Sequence, residues 1–266
     1  MKERALAIAA QTTNPADQLN LLREYIQACA LRSLHESEAF SCLSFVGGTA
    51  LRFAYGLPRF SEDLDFSLEK AERYNPVEWM RKLKQDLQLA GFETSLLWND
   101  RKTVHTAWIK VGGIMKEAGL AAMADQKLSI KLEIDTRPPA GAECEKTIIT
   151  RHLVFALQYH KLPSLMAGKV HALLARNHPK GRDWYDLLWY LGQRPPFEPN
   201  PVLLQNALDQ TQGEGAVDAR AWKALLRKKT DTLDFAQLAA DVQPFLERQQ
   251  DADLLNAGYF HALLTG

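Results

Sequence analysis

The pattern of apolar and polar positions predicts a mixture of helices and strands in the first part of the chain. Apolar residues recur every three or four positions from Asp17 to Leu34 and from Pro76 to Phe92, which is the spacing of amphipathic helices. Residues 42–46 form a short apolar run, and residues 128–135 alternate strictly between apolar and polar, so both are predicted as strands. Further strands are predicted at residues 64–68, 93–98 and 103–111.

Beyond Pro163 the pattern becomes helical. The 3.6-residue period of an amphipathic helix recurs in residues 164–176, 182–191, 201–210, 218–229 and 234–249. The sequence therefore predicts an α/β (α+β) core with a mixed sheet over residues 1–150, followed by a mostly helical C-terminal domain over residues 151–266.

The charge balance excludes a protein with a uniformly basic surface. Lys plus Arg and Asp plus Glu number 32 each, so any nucleic-acid-binding surface must be local. The densest basic patch, Lys223 with residues 227–229, is predicted to be a solvated face. The three cysteines lack a CxxC pair, which argues against a disulfide framework or zinc site and fits a cytoplasmic location. No apolar run of about 18 residues predicts a membrane span.

A glycine turn between two strands is the first candidate for chemistry. Residues 45–68 read FVGGTALRFAYGLPRFSEDLDFSL, which predicts a strand, the Gly47–Gly48 turn, a short helix and a second strand. Without Cβ atoms, the two glycines let backbone N–H groups approach a phosphate at a helix N-terminus. Thr49 is predicted to cap this helix and to offer a hydroxyl.

Two aspartates on the second strand are the matching candidate for a metal site. Residues two apart on a strand share a face, so Asp63 and Asp65 are expected to project together while Leu64 and Phe66 point into the core. Two carboxylates this close repel one another unless a cation lies between them, and Mg²⁺ prefers such oxygen ligands together with substrate phosphates. The glycine turn and the aspartates together could hold a nucleoside triphosphate and its metal.

This stretch closely resembles the signature of the AbiEii/AbiGii-type nucleotidyltransferase toxins, a family of the DNA polymerase β-like nucleotidyltransferase superfamily. The resemblance implies that Gly47, Gly48 and Thr49 contact the triphosphate. It also implies that Asp63 and Asp65 are catalytic ligands of Mg²⁺. Residues 1–150 would then be the nucleotidyltransferase core, and residues 151–266 a helical domain that completes the active site.

A later strand extends the resemblance. Residues 129–136, SIKLEIDT, are similar to the superfamily strand that often carries a third acidic residue. Lys131, Glu133 and Asp135 are predicted to share one face, and the resemblance favours Asp135 as the catalytic acid and Lys131 as a nucleotide-binding residue. An ordinary amphipathic strand with ion pairs on its outer face remains the alternative.

The helical part contains a second matching motif at residues 162–191. Lys169 and Arg176 are seven positions apart and share a helix face, as do Asp183 and Asp186, which are three apart. Lys169 could meet the β- and γ-phosphates as a point charge. The alternatives are a helix-start cap for Asp183 and a structural Lys–Asp pair.

Two further roles in this motif stay open. Asp186 is predicted either to accept the proton of the acceptor hydroxyl or to orient Lys169. The resemblance adds two nucleotide-binding candidates, Arg176 on the same predicted helix as Lys169 and Arg182 at the start of the next helix.

The resemblance implies a function and partners. It implies an Mg²⁺-dependent enzyme that transfers a nucleoside monophosphate from an NTP to an acceptor hydroxyl, with release of pyrophosphate. It further implies the toxin of a bacterial toxin–antitoxin (abortive infection) system, with tRNA as acceptor and a separately encoded antitoxin, often a winged-helix DNA-binding protein. One alternative is a nucleotidyltransferase that acts on a small molecule or a protein side chain, and another is a non-catalytic binding module.

Overall fold

The computed structural model describes residues 1–123 and 125–265 of the 266-residue chain. The chain divides into two compact units, each discontinuous in sequence. Unit 1 comprises Met1–Gly56, Phe60–Pro138 and Glu145–Tyr159, and unit 2 comprises Leu57–Arg59, Pro139–Cys144 and His160–Gly266. The predicted role of residues 151–266 in completing the active site stays a prediction.

One mixed sheet provides the framework of unit 1. In chain order its strands are β1 Leu43–Val46, β2 Leu64–Leu68, β3 Glu93–Asn99, β4 Val104–Gly112, β5 Leu128–Asp135, β6 Cys144–Ile149 and β7 Phe155–His160. The order across the sheet is β3-β4-β5-β2-β1-β7-β6. Strand β2 is antiparallel to β1 but parallel to β5, which confirms the predicted mixed sheet. The sequence analysis missed β6 and β7.

One face of the sheet is buried, and the opposite face is half-exposed. On β5 the apolar residues Leu128, Ile130, Leu132 and Ile134 are buried, and the intervening polar residues are half-buried. Their alternation follows from the two-residue period of a strand, which points successive side chains to opposite faces. The candidate residues of β2 and β5 therefore lie on the half-exposed face.

Unit 1 also contains helices, several of which pack against strands of the sheet. They are α1 Lys2–Ala9, α2 Pro15–Glu36, α3 Gly47–Tyr55, α4 Pro76–Leu89 and α5 Ile114–Glu117. The predicted helices at Asp17–Leu34 and Pro76–Phe92 are confirmed as α2 and α4. Helix α2 begins with a side-chain cap, because the carboxamide oxygen of Asn14 accepts hydrogen bonds from the N–H groups of Ala16 and Asp17.

Unit 2 is helical, as predicted for the later part of the chain. Its helices are α6 Leu162–Ala175, α7 Gly181–Leu191, α8 Pro201–Gln212, α9 Trp222–Thr230, α10 Phe235–Val242 and α11 Ala257–Leu263. The aromatic face of α7 forms part of the core, because Trp184 and Tyr190 are almost fully buried. In the described part of the chain, none of the helices combines the length and the apolar character needed to cross a lipid bilayer.

Candidate active site

The glycine turn brings the backbone against a carboxylate. Strand β1 ends at Val46 and α3 begins directly at Gly47, whose φ of +77° is a conformation that L side chains rarely adopt. A Cβ at Gly47 would lie 2.6 Å from Oδ2 of Asp65. Glycine is therefore required at position 47 for two reasons, the left-handed backbone and the close approach of Asp65.

Thr49 does not cap this helix, so that prediction is wrong. Because α3 begins at Gly47, Thr49 is already its third residue, and Val46 takes the N-cap position without a side-chain hydrogen bond. The Thr49 side chain is buried, and its hydroxyl donates to the backbone carbonyl of Asp63. Thr49 thus ties the first turn of α3 to the residue that precedes β2.

Asp63 and Asp65 lie beside this turn at the start of β2. In the antiparallel pairing of β1 with β2, Asp65 is directly opposite Val46. Asp63 and Asp65 are half-buried, whereas Leu64 and Phe66 are buried in the core. The alternation that predicted a shared face for the two aspartates is therefore seen in the structure.

Strand β5 places Glu133, and not Asp135, beside the aspartates. In the parallel pairing of β2 with β5, Asp65 is in register with Glu133, and Asp135 is in register with Ser67, one step further along the same face. The Asp135 carboxylate accepts a hydrogen bond of 2.9 Å from the backbone N–H of Arg137, just after the strand ends. Glu133 and Lys131 form an ion pair at 2.8 Å.

A buried ion pair anchors α3 within unit 1. Arg52 of α3 is 2% exposed; its guanidinium contacts the Glu24 carboxylate of α2 and stacks over the Phe60 ring at 4.1 Å. Burial alone would raise the pKa of Glu24, but His152, Arg52 and Arg151 hold the pKa at about 2. Because buried charges are retained only when they are paired, this network fixes the helix that follows the glycine turn.

A second cluster of charges lies in unit 2. The Lys169 ammonium on α6 is 2.6 Å from Oδ1 of Asp183 and 2.8 Å from Oδ2 of Asp186, both on α7. Arg176 also contacts the Asp183 carboxylate. Lys169 and Arg176 thus share the Asp183 carboxylate, and Asp183 and Asp186 share the Lys169 ammonium, as their predicted common faces require.

Arg59 completes this cluster, and the sequence analysis missed it. The Asp186 carboxylate is fully buried, and it accepts hydrogen bonds of 2.6 and 2.7 Å from Nε and Nη2 of Arg59. Arg59 comes from the short segment Leu57–Arg59 of unit 2. Its position just before the two aspartates was visible in the sequence, but nothing there indicated a partner on α7.

The charges of the cluster hold one another ionised. Burial alone would raise the pKa of Asp183, but Lys169 and Arg176 outweigh it and lower the pKa to about 2. Burial alone would lower the pKa of Lys169 and of Arg59, but the Asp186 carboxylate next to both raises each pKa above its ordinary value. Three cations, Lys169, Arg176 and Arg59, thus surround the carboxylates of Asp183 and Asp186.

Two other basic residues have roles in packing. The Arg182 guanidinium lies over the Phe245 ring at 4.4 Å. The Lys229 ammonium donates hydrogen bonds to the carbonyl oxygens of Leu173 at 2.6 Å and Arg176 at 2.9 Å, at the C-terminal end of α6. Lys229 therefore caps α6, and its prediction as part of a solvated face is wrong.

The fold and the sequence identify the class of protein. Two solved structures have the same overall fold. JHP933 from Helicobacter pylori has a TM-score of 0.50 and 20% sequence identity, and the match covers 92% of this chain and 93% of that chain. A candidate nucleotidyltransferase from H. pylori has a TM-score of 0.51 and 19% sequence identity, and the match covers 92% of this chain and 95% of that chain. A search of curated proteins finds no match to this sequence.

The family is shown by the sequence itself. The family model described as "Nucleotidyl transferase AbiEii toxin, Type IV TA system" matches residues 29–257. The chain therefore belongs to the AbiEii nucleotidyltransferase toxin family, which confirms the resemblance seen in the glycine turn and the paired aspartates. It is a nucleotidyltransferase of a toxin–antitoxin system, and an antitoxin partner and a nucleotide substrate follow from that membership.

Proposed function

We propose that this toxin transfers a nucleoside monophosphate from an NTP to an acceptor hydroxyl on tRNA, in an Mg²⁺-dependent reaction. One observation carries the proposal: Asp65 approaches Gly47 so closely that a Cβ at Gly47 would lie 2.6 Å from Oδ2 of Asp65. A carboxylate beside a phosphate-binding turn allows one metal ion to contact both the protein and the phosphates.

The carboxylates of unit 1 are suited to Mg²⁺. Asp63, Asp65 and Glu133 offer only oxygen donors on one half-exposed face, the ligand type that this hard cation prefers. We place Glu133 in the set because it is in register with Asp65, whereas Asp135 is one step further along the strand. A bound Mg²⁺ would polarise the α-phosphate and neutralise charge on the leaving pyrophosphate.

The protein groups divide the remaining work. The backbone N–H groups at Gly47 and Gly48 would contact the triphosphate. In the transfer step, the acceptor oxygen forms a bond to the α-phosphorus, the bond from that phosphorus to the bridging oxygen breaks, and pyrophosphate leaves with the electron pair. The acceptor proton passes to solvent or to a carboxylate of the site.

Lys169 is the proposed phosphate-binding cation of unit 2, with Arg176 beside it. The Lys169 side chain is still 11% exposed, and a lysine ammonium binds phosphate oxygens as a point charge. Both Asp186 oxygens accept from or pair with Arg59 and Lys169, and Asp186 is fully buried. These contacts favour Asp186 as the residue that positions Lys169 and disfavour it as a general base.

The finer identity of the partners rests on the family resemblance. We propose tRNA as the acceptor and a winged-helix DNA-binding protein as the antitoxin. Nucleotide transfer to a small molecule or a protein side chain is the second candidate. The balanced charge of the chain favours this candidate, because the chain has no overall positive charge that would attract RNA.

One experiment separates these acceptors. The purified protein is incubated with each labelled NTP and Mg²⁺, together with total tRNA, protein extract or small metabolites. The proposal expects label in tRNA only, and none with Asp65→Asn. Label in protein or in a small molecule would replace tRNA as the acceptor, and no label in any fraction from active, folded protein would contradict nucleotide transfer to these acceptors.

A further inference from the structure

An exposed tryptophan lies on the same face of the sheet as the candidate metal ligands. The side chain of Trp108 on β4 is 39% exposed, and its cross-strand partner Leu97 on β3 is 64% exposed. Next to Trp108 on the other side, β5 contributes Lys131, which is in register with it. The buried face of β4 is formed instead by Ala107 and Ile109.

The strand register relates Trp108 to the aspartates. One row across the sheet reads Leu97, Trp108 and Lys131, and the next row reads Thr106, Glu133 and Asp65. Strands lie about 4.8 Å apart, so β4 is roughly 10 Å from β2. This distance is within the reach of one nucleotide whose sugar hydroxyl lies at the carboxylates.

The groups around Trp108 suit a nucleic-acid strand. The Lys131 ammonium lies 5.9 Å from the centroid of the Trp108 ring, and Lys110, two residues further along β4, is exposed on the same face. An aromatic ring flanked by cations is the combination with which proteins bind single-stranded nucleic acids, because the ring stacks on a base and the cations attract phosphates.

We infer that Trp108 is a stacking platform for the base of the terminal nucleotide of the acceptor RNA. This inference rests on the proposed function. In a displacement at phosphorus, the attacking and leaving oxygens lie on opposite sides of the phosphorus. The glycine turn follows β1 and would hold the leaving pyrophosphate, so the acceptor approaches from the β5 and β4 side of Asp65, where Trp108 lies.

The test compares Trp108→Phe, which keeps a flat ring, with Trp108→Leu, which keeps apolar bulk without one. Stacking of a base on an aromatic side chain contributes enough that Trp108→Leu should weaken binding of a short single-stranded RNA about five- to a hundredfold. The same variant should raise the KM for tRNA and leave the KM for NTP unchanged, and Trp108→Phe should retain most of the binding. Tyr259→Leu, at an aromatic residue 51% exposed on α11, is the control and should change neither constant.

Two results overturn the inference. A rise in the KM for NTP with unchanged RNA constants would assign Trp108 to the incoming nucleotide. If Trp108→Leu has the wild-type affinity for RNA and the wild-type KM for tRNA, the exposed surface around Trp108 serves another contact, such as a protein partner. RNA binding is measured separately from nucleotide transfer. If the protein binds RNA through Trp108 but does not modify tRNA, the stacking role of Trp108 is supported and the proposed acceptor is contradicted.

Discussion

Arg59 and Asp186 are 127 residues apart in sequence, yet they form a pair of hydrogen bonds of 2.6 and 2.7 Å around a fully buried carboxylate. Lys169 binds the same carboxylate, so the proposed phosphate-binding cation depends on a residue encoded just before the proposed metal-binding aspartates. Only residues 60–63 separate Arg59, a member of the cationic cluster, from the start of strand β2 in the sequence.

Replacing Arg59 should be among the most damaging single changes in unit 2. Arg59→Met removes one partner of a buried ion pair, which typically costs about 3–5 kcal/mol in free energy of unfolding. Thermal or denaturant unfolding of the purified variant measures this cost. Arg248→Met is the control, because Arg248 is an exposed partner of Asp251, and it should change the free energy of unfolding by less than about 1 kcal/mol.

Lys169→Met should lower nucleotide binding and transfer. A charge-assisted contact contributes about 1.5–3 kcal/mol, so the loss should be tenfold or more. Loss of Lys169 also leaves Asp183 and Asp186 with fewer partners, so stability is measured alongside activity. Lys228→Met, at an exposed position of α9, is the control. Equal activity of the two variants would contradict a role of unit 2 in the active site.

Glu133→Gln should reduce transfer more than Asp135→Asn. The two residues share a face of β5, but only Glu133 is in register with Asp65. Asp63→Asn and Asp65→Asn should abolish transfer without unfolding the protein, because each removes a proposed metal ligand and keeps the shape of the half-buried side chain. Rates measured over a range of Mg²⁺ concentrations check the assignment, and a greater loss with Asp135→Asn would restore Asp135 as the third acid.

Gly47→Ala and Gly56→Ala separate backbone strain from the site. Both glycines have left-handed φ values, +77° and +70°, so alanine should cost about 1–2 kcal/mol in stability at each. Only at Gly47 would the new Cβ meet the Asp65 carboxylate, whereas Gly56 has open space within 4 Å. Transfer should therefore be lost in Gly47→Ala and retained in Gly56→Ala; similar activity in both would contradict the close role of Gly47.

Stability should fall as the pH drops below about 4. The pKa of Asp183 is about 2 in the folded chain, below its ordinary value of 3.8, so the folded state binds fewer protons than the unfolded state. The resulting stability is present above the ordinary pKa and is lost as the pH falls towards 2; it amounts to about 2 kcal/mol. Unfolding curves from pH 6 to pH 2 check this, and Asp183→Asn should flatten the dependence.

Expression of the toxin without its antitoxin should arrest bacterial growth. The reason is the family to which the chain belongs and the enzymatic activity that it implies. Asp63→Ala should relieve the arrest at equal protein level, as judged by growth curves with immunoblots. Normal growth with abundant folded wild-type protein would favour an acceptor other than tRNA.

The sequence predicted those parts of the site that lie close together along the chain. The glycine turn, the paired aspartates and the two faces of α6 and α7 follow from local spacing, which the 2.0- and 3.6-residue periods make readable. Thr49 was misassigned because a polar residue near a helix start has the same local signal as a cap, whether the helix begins before or after it.

Properties that depend on pairing between distant segments could not be predicted. The choice between Glu133 and Asp135 depends on the register of β5 against β2, and a single strand does not encode its register with a neighbour. Arg59 has its partner on α7, and no local pattern connects the two. Strand β6 was missed because its burial alternates only weakly.

The membership of Leu57–Arg59 and Pro139–Cys144 in unit 2 has a consequence for dissecting the chain. A fragment that begins at His160 contains every helix of unit 2 but lacks Arg59, so Asp186 would be buried without its main partner. Such a fragment should be poorly expressed or aggregate, and supplying residues 1–159 as a separate polypeptide should rescue it. During synthesis, Arg59 leaves the ribosome long before α6 and α7, so the cationic cluster can form only after Asp186 has been translated, and a product terminated before that residue would lack it.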